Sequence, residues 1–373
     1  MPAAAPAEPT AETLTDTEGP PSMRKAFARL TASTALATSF VMVGGLAAAD
    51  PVVPPRAEDI VGLGADITAP LFNRLSTDYN AFLAASGDST SPRLYSWDTK
   101  GGPSIVPKAG AGALPRSIGS NAGILALENT TTELDFARSA RPAANGSDRN
   151  TDTFVTFAKD AVSWAAKAGG HAPADLTTAQ LKDIYTCYKT NWRQIDPTLP
   201  DATIKPFLPR WGNHLSDTGE RFLKAIGGAV AIPPGACVGT VDTENAGTDP
   251  LLNNDDAVVP YALSRYISQT YFGHTSGADA PGPLTVRSIG GKQPVDVVEK
   301  AIGAGFLNSP YEFRVSNVVR DEQWRAADAR GAALRAVFAM DGWLCTDPVA
   351  RATVKSHGFT PTPGCGSAIN PVG

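Results

Sequence analysis

The stretch EDIVGLGADITAPLFNRLSTDYNAFLAAS, Glu58 to Ser86, decides the fold class. Its first part, EDIVGLGADIT, reads as a short apolar strand running into a glycine-containing turn. Beyond it Leu71, Phe72, Leu75, Tyr79, Phe82 and Leu83 recur at spacings of three and four, the period of a helix with one apolar face. Gly87 and the Ser/Thr/Pro cluster behind it close that helix. Strand, glycine turn and helix together open an α/β unit.

The same grammar recurs downstream. LYSWD (94–98), TELDFARS (132–139), TFVTFAKDAVSWAA (153–166) and KPFLPRW (205–211) predict strands, and SIGSNAGILALE (117–128) a loop feeding a helix. LTTAQLKDIYTCYK (176–189) and DTGERFLKAIG (217–227) predict helices, the second closed by Gly227. AVVPYALSRYISQTYF (257–272) begins as a strand and turns helical, while LTVRSIGG (284–291) and YEFRVSNVVR (311–320) alternate as strands do. GAALRAVFAMDGWLC (331–345) predicts a last amphipathic helix. Strands ending in small polar residues before helices predict an open, mostly parallel sheet that binds ligands at its strand carboxyl ends.

With 373 residues, 42% of them hydrophobic and 18% charged, the chain has an ordinary globular composition and enough length for about two domains. Residues 1–22 are rich in Pro, Ala, Thr and Glu without apolar period, which predicts disorder or a start upstream of the true one. Residues 23–49 carry Arg24, Lys25 and Arg29, then an apolar run, then Ala47, Ala48 and Ala49, the three parts of a secretory signal peptide. Removal of residues 1–49 leaves 29 basic and 33 acidic residues, a balance that argues against nucleic acid or an anionic membrane as partner. A secreted, extracytoplasmic protein without stable membrane insertion is expected.

Cys187, Cys237, Cys345 and Cys365 allow three disulfide pairings, and closeness in sequence favours Cys187 with Cys237 and Cys345 with Cys365. A metal site is not expected: there is no C-x-x-C, and His171, His214, His274 and His357 are scattered without ligand spacing. Three segments do combine hydroxyls, glycines and a helix start: GLGADIT (62–68), IGSNAG (118–123) and LSDTGER (215–221). Free N–H groups at a helix start hold an oxyanion without any cofactor. DFARSARP (135–142) adds two arginines and a serine at a strand end, where a simple exit from the core would use turn residues.

DFARSARP, FVTFAKDAVSWAA, LTTAQLKDIYTCYKTNW, LSDTGERFLKAIG and AVVPYALSRYIS, in that order, resemble successive landmarks of exported substrate-binding proteins of the phosphate-binding type. The resemblance spans residues 57–367 and implies a type II periplasmic-binding-protein-like fold, with a ligand cleft between two α/β lobes. It places lobe 1 at 57–157 plus 259–373 and lobe 2 at 158–258. It also implies a monomer that binds phosphate or a related small anion, serves an ABC transporter permease, and catalyses nothing.

Carried over residue by residue, the resemblance turns the backbone of Ala65, Asp66 and Ile67 toward the ligand and makes Asp66, Thr68, Ser120, Asn121, Arg138, Ser139, Ser216 and Thr218 the candidate contacts. Asp160, at a lobe crossover, is a further candidate for ligand contact or for helix capping. Two positions depart from the family pattern. Ala140 stands where an acidic acceptor is usual, and the Ser-Gly-Thr anion loop reads Ser216, Asp217, Thr218, Gly219, with Arg221 displaced by two positions. Asp217 facing the cleft would repel an anion, with Arg210 or Arg221 as compensation. Two other functions remain in view. The altered loop suits an extracellular interaction module that lost its ligand, whereas an exported phosphatase-like hydrolase lacks any G-x-S-x-G, H-E-x-x-H or S-x-x-K signature.

Overall fold

The structure is a computed structural model that describes residues 50–143, 148, 151–228 and 232–370. The disorder expected of residues 1–22 and the signal peptide expected at 23–49 lie outside the described residues. Strand β1 (Ile60–Gly64) is wholly buried and leads through a four-residue loop into α1 (Ala69–Ala85). Gly64 has φ +126°, and a Cβ there would stand 2.5 Å from the Arg138 carbonyl oxygen, so only glycine makes this turn. Leu71, Phe72, Leu75, Tyr79 and Leu83 of α1 are buried. Phe82, read from the sequence as inward-facing, is exposed and instead stacks beside Tyr79 and Trp343 at the helix end.

Further along come β2 (Leu94–Ser96), α2 (Ser120–Glu128), β3 (Phe136–Ser139) and β4 (Asp152–Lys167). Then follow α3 (Thr178–Tyr185), β5 (Lys205–Trp211), α4 (Asp217–Gly227), β6 (Gly239–Val241), β7 (Ala257–Ala262) and α5 (Leu263–Phe272). After β8 (Leu284–Ile289) and β9 (Glu312–Arg320) the chain ends in α6 (Ala329–Phe338) and α7 (Pro348–Ser356). Helix α3 starts on a reciprocal cap in which Thr177 accepts from the Gln180 N–H and the Gln180 side chain accepts from the Thr177 N–H.

The main sheet has the order β6-β5-β7-β4-β9-β3-β1-β2. Its outer wings are parallel, with β1 beside β2 and β3, and β5 beside β6 and β7. Its middle is antiparallel, which corrects the expectation of a mostly parallel sheet. The reason is β4, whose sixteen residues are flanked by strands that return against it. Asp152–Ala161 pairs with β9, and Val162–Ala166 pairs with β7. Small and apolar residues bury nearly all of β4, as a strand covered on both faces requires. Phe157 is left over where the register with β9 shifts at Val315/Ser316, a bulge that turns its ring onto Phe72 at 5.4 Å.

The core under the first wing is an aromatic chain of Phe72, Phe136 and Phe338. Under the second wing Tyr185 meets Phe222 edge-on at 5.0 Å, and Trp192 is fully buried. The Trp164 indole donates to the Ser288 carbonyl at 3.0 Å, so the largest side chain of β4 is satisfied inside the core. Cys187 is disulfide-bonded to Cys237 and Cys345 to Cys365. The helix expected over 331–345 stops at Phe338, resumes briefly at Trp343–Thr346, and is followed by α7, which was not expected. A Cβ at Gly342 would stand 2.6 Å from the Arg335 carbonyl, so the chain folds back too tightly there for one continuous helix. Asp347 followed by Pro348, which caps α7, is the start signal that marks it. No helix among the described residues is long and apolar enough to cross a membrane.

Candidate functional site

The β1–α1 loop, the start of α2 and the start of α4 come together, and so does the loop after β6. Helix α2 can press on the first loop because Gly123 has no Cβ, which would stand 2.6 Å from the Gly64 Cα. The Ala65 N–H donates to the Arg138 carbonyl at 3.0 Å, and the Thr68 hydroxyl donates to the Ala65 carbonyl at 3.2 Å. The Asp66 carboxylate accepts from the Thr99 hydroxyl. Burial raises its pKa, which the Thr99 bond and the Lys100 charge partly offset.

Ser120 and Thr218 are the two candidates whose backbone N–H meets an acidic side chain. The Ser120 N–H, at the head of α2, donates at 3.0 Å to Oδ2 of Asp217, and the Ser120 hydroxyl also bonds that carboxylate. The Thr218 N–H, at the head of α4, donates at 2.9 Å to Oε2 of Glu244. The Ser120 hydroxyl oxygen accepts from the Ala140 N–H at 2.8 Å, so the position that lacks an acidic side chain still contributes its backbone. Thr218 Oγ1 accepts from Asn245 at 3.4 Å.

The other candidates hold the frame. Arg138 is fully buried, and its guanidinium donates to the Ser96 hydroxyl at 2.5 Å, to the Trp97 carbonyl at 2.9 Å and to the Ala65 carbonyl at 3.3 Å. It braces the β1–α1 and β2 loops. Burial lowers its pKa to about 10, with Asp98 and Asp66 pulling the other way, so it stays charged at neutral pH. The Ser139 hydroxyl donates to the Arg141 carbonyl at 2.9 Å, and Asn121 accepts from Arg141 at 2.6 Å. Arg141 also pairs with Asp148. Ser216 is the N-cap of α4, accepting from the Gly219 N–H at 3.2 Å.

Asp160 lies at the point of β4 where the pairing partner changes. Its carboxylate accepts from the Ala161 N–H at 2.7 Å, the Ser264 N–H at 2.9 Å and the Ser264 hydroxyl at 2.5 Å, which anchors the start of α5. Burial pushes its pKa up to about 7 against those hydrogen bonds. Capping is therefore the role its contacts describe.

Sequence reasoning missed Glu244, Asn245, Arg265 and Asp279. Arg265 pairs with Asp279, and Gln269 donates to Asp279 at 2.7 Å and to the Asn245 carbonyl at 2.9 Å. The Asn245 side chain accepts from the Ala262 N–H at 2.8 Å and so fixes the Glu244 loop to the end of β7. The available signal was DTENAG (242–247), an acid and an amide directly after a short strand, which polar loops share too widely to single out.

Burial, then the charges of Asp66 and Asp217, push the Glu244 pKa up to about 8. Burial likewise raises Asp217, against its bonds to Ser120 and the charges of Arg221 and Arg141. Because the folded pKa of Glu244 lies above the ordinary 4.5, the folded state holds the extra proton. The stability this group contributes is complete below about 4.5 and is lost as pH rises through about 8. Glu244→Gln is therefore expected to melt at the wild-type temperature at pH 4.5 and roughly 5 °C above it at pH 8.5. A gap that does not widen with pH in scanning calorimetry would place the titration elsewhere.

Cavities of about 500 Å³ and 270 Å³ lie elsewhere, and none of the candidate residues lines either. Among the described residues no group of three or more His, Cys, Asp or Glu is placed to hold a metal ion.

The family model described as a PBP superfamily domain matches residues 107–305. An ABC-type phosphate transport receptor from Vibrio cholerae is similar at 16% identity and TM-score 0.53, over 82% of this chain and 100% of that one. A putative phosphate ABC transporter substrate-binding protein with bound phosphate from Clostridium perfringens is similar at 15% identity and TM-score 0.53, over 82% and 99%. A phosphate-binding protein from Stenotrophomonas maltophilia follows at 16% identity and TM-score 0.50, over 82% and 91%. At these identities the likeness is one of fold. No curated protein sequence matches the chain.

Proposed function

The chain belongs to the PBP superfamily, and from that membership we propose that it is a non-catalytic, extracytoplasmic solute-binding protein that takes a small oxyanion of the phosphate class between two lobes. In this reading the lobes would meet along β4, whose partner changes from β9 to β7. The observation that carries the oxyanion class is the bond from the Ser120 N–H and hydroxyl to a carboxylate, because the head of α2 is then a seat that already receives anionic oxygen. Two disulfides suit a chain matured outside the cytoplasm, and an ABC permease is the partner to which such a protein would deliver its solute.

The test is thermal shift of the purified protein at pH 5.5 against phosphate, sulfate, glucose and amino acids. Phosphate at about a hundred times its Kd adds ~2.7 kcal/mol, a rise of roughly 5 °C, and glucose adds nothing. Should glucose or an amino acid shift the transition while no oxyanion does, the ligand class is wrong. Turnover of p-nitrophenyl phosphate would refute the non-catalytic assignment. A second reading, an interaction module that kept the fold without a ligand, is favoured by one observation: the Asp217 carboxylate already stands on the Ser120 N–H. It requires that no solute shift the transition at any pH.

A further inference from the structure

The bond between Asp217 and Ser120 does not cap the helix that Asp217 belongs to. Acidic residues in the first turn of α4, Asp217 and Glu220, suit the positive end of their own helix. Yet Asp217 Oδ2 reaches away from α4 to the Ser120 N–H, ninety-seven residues earlier in the chain. Helix α2 packs on β3 and β1 of one wing, and α4 packs on β7, β5 and α3 of the other. The bond therefore crosses the cleft.

A second carboxylate completes the arrangement. Glu244 gives one oxygen to the Thr218 N–H, while its other oxygen has no hydrogen-bond partner although the residue is only 3% exposed. A buried carboxyl oxygen without a partner costs free energy and is normally matched by a donor. Burial favours the protonated form of Glu244, so the free oxygen carries a proton that no group of the chain accepts.

We propose that Asp217 is a tethered anion that occupies the seat of the solute's oxygen, latches the two lobes together and bars a dianionic oxyanion at neutral pH. This rests on the oxyanion reading above. The charges facing Asp217 are Glu220 and Arg221 on its own helix, Arg141 beyond β3, and Glu244 beyond β6. Glu244 in turn faces Asp66, which faces Lys100, Arg265 and Asp279. A dianion entering this group meets the Asp217 carboxylate at the very N–H it needs, and exclusion of water strengthens that repulsion. Acid removes the carboxylate charge, and the protonated Glu244 can then donate from its free oxygen to the entering oxyanion.

The experiment compares wild type with Asp217→Gly and Asp217→Asn by phosphate and sulfate calorimetry at pH 7.5 and 5.5, with hydrogen exchange of the peptide containing Ser120. Asp217→Gly is expected to bind phosphate at least about tenfold tighter than wild type at pH 7.5, a gain of ~1.4 kcal/mol. Wild type is expected to approach the variant at pH 5.5. Without ligand, the Ser120 amide is expected to exchange faster in both variants. The proposal is overturned if wild type binds phosphate at pH 7.5 as tightly as Asp217→Gly does. It is equally overturned if Ser120 protection is unchanged in both variants. Faster exchange at Ser120 with no oxyanion bound by any form at either pH supports the latch and overturns the oxyanion reading, so the two failures are distinguishable.

Discussion

Arg138→Ala is expected to destabilise the fold by about 3–5 kcal/mol, the range for breaking a buried charged network. The substitution strips donors from the Ala65 and Trp97 carbonyls and from Ser96, and all three residues lie in or beside the β1–α1 and β2 loops. These groups stay buried without water to replace the guanidinium, so the full desolvation cost appears. Arg138→Lys is expected to recover less than half of the loss, because one ammonium cannot span acceptors arranged around a planar fork. Urea unfolding measures both. A variant of native stability whose only defect is weaker phosphate binding would show that the guanidinium serves the solute instead.

The second large effect concerns the covalent cross-links. Cys187 and Cys237 are separated by 50 residues, Cys345 and Cys365 by 20. Loop-closure entropy gives about 4 kcal/mol for the first and about 3 kcal/mol for the second. The first ties the exit of α3 to the segment before β6, within one wing; the second ties the turn after α6 to the C-terminal segment that lies along β4. Cys187→Ser with Cys237→Ser is expected to lower Tm by roughly 8 °C, more than the other pair does. An unchanged Tm for the first double variant would mean that the chain between the two residues is already confined when unfolded.

The sequence shows those parts of the fold whose signals are local. The apolar period of α1, the cap at Thr177 and Gln180, and the change from strand to helix at Ala262 all sit within a few residues of the structure they specify. Strand direction is not local. Nothing in TFVTFAKDAVSWAA says that its neighbours will come from residues 312–320 and 257–262, so the antiparallel middle of the sheet was hidden. The site divides the same way. GLGADIT, IGSNAG and LSDTGER do converge, but Glu244 lies 26 residues beyond the Thr218 N–H it accepts from, in a loop of ordinary composition. Arg138 is ambiguous in sequence for a related reason: an arginine at a strand end looks the same whether its partners are solutes or carbonyls of distant loops.

The position of β9 also fixes an order in time. In the sheet, β3 has β1 on one side and β9 on the other, so the wing made early in synthesis reaches β4 only through a strand made late. The wing of β5, β6 and β7 suffers no such delay, because β7 pairs with β4 directly and all four strands lie between Asp152 and Ala262. A growing chain can therefore finish its interior half first, while β1, β2 and β3 wait with one edge bare until Glu312–Arg320 arrives.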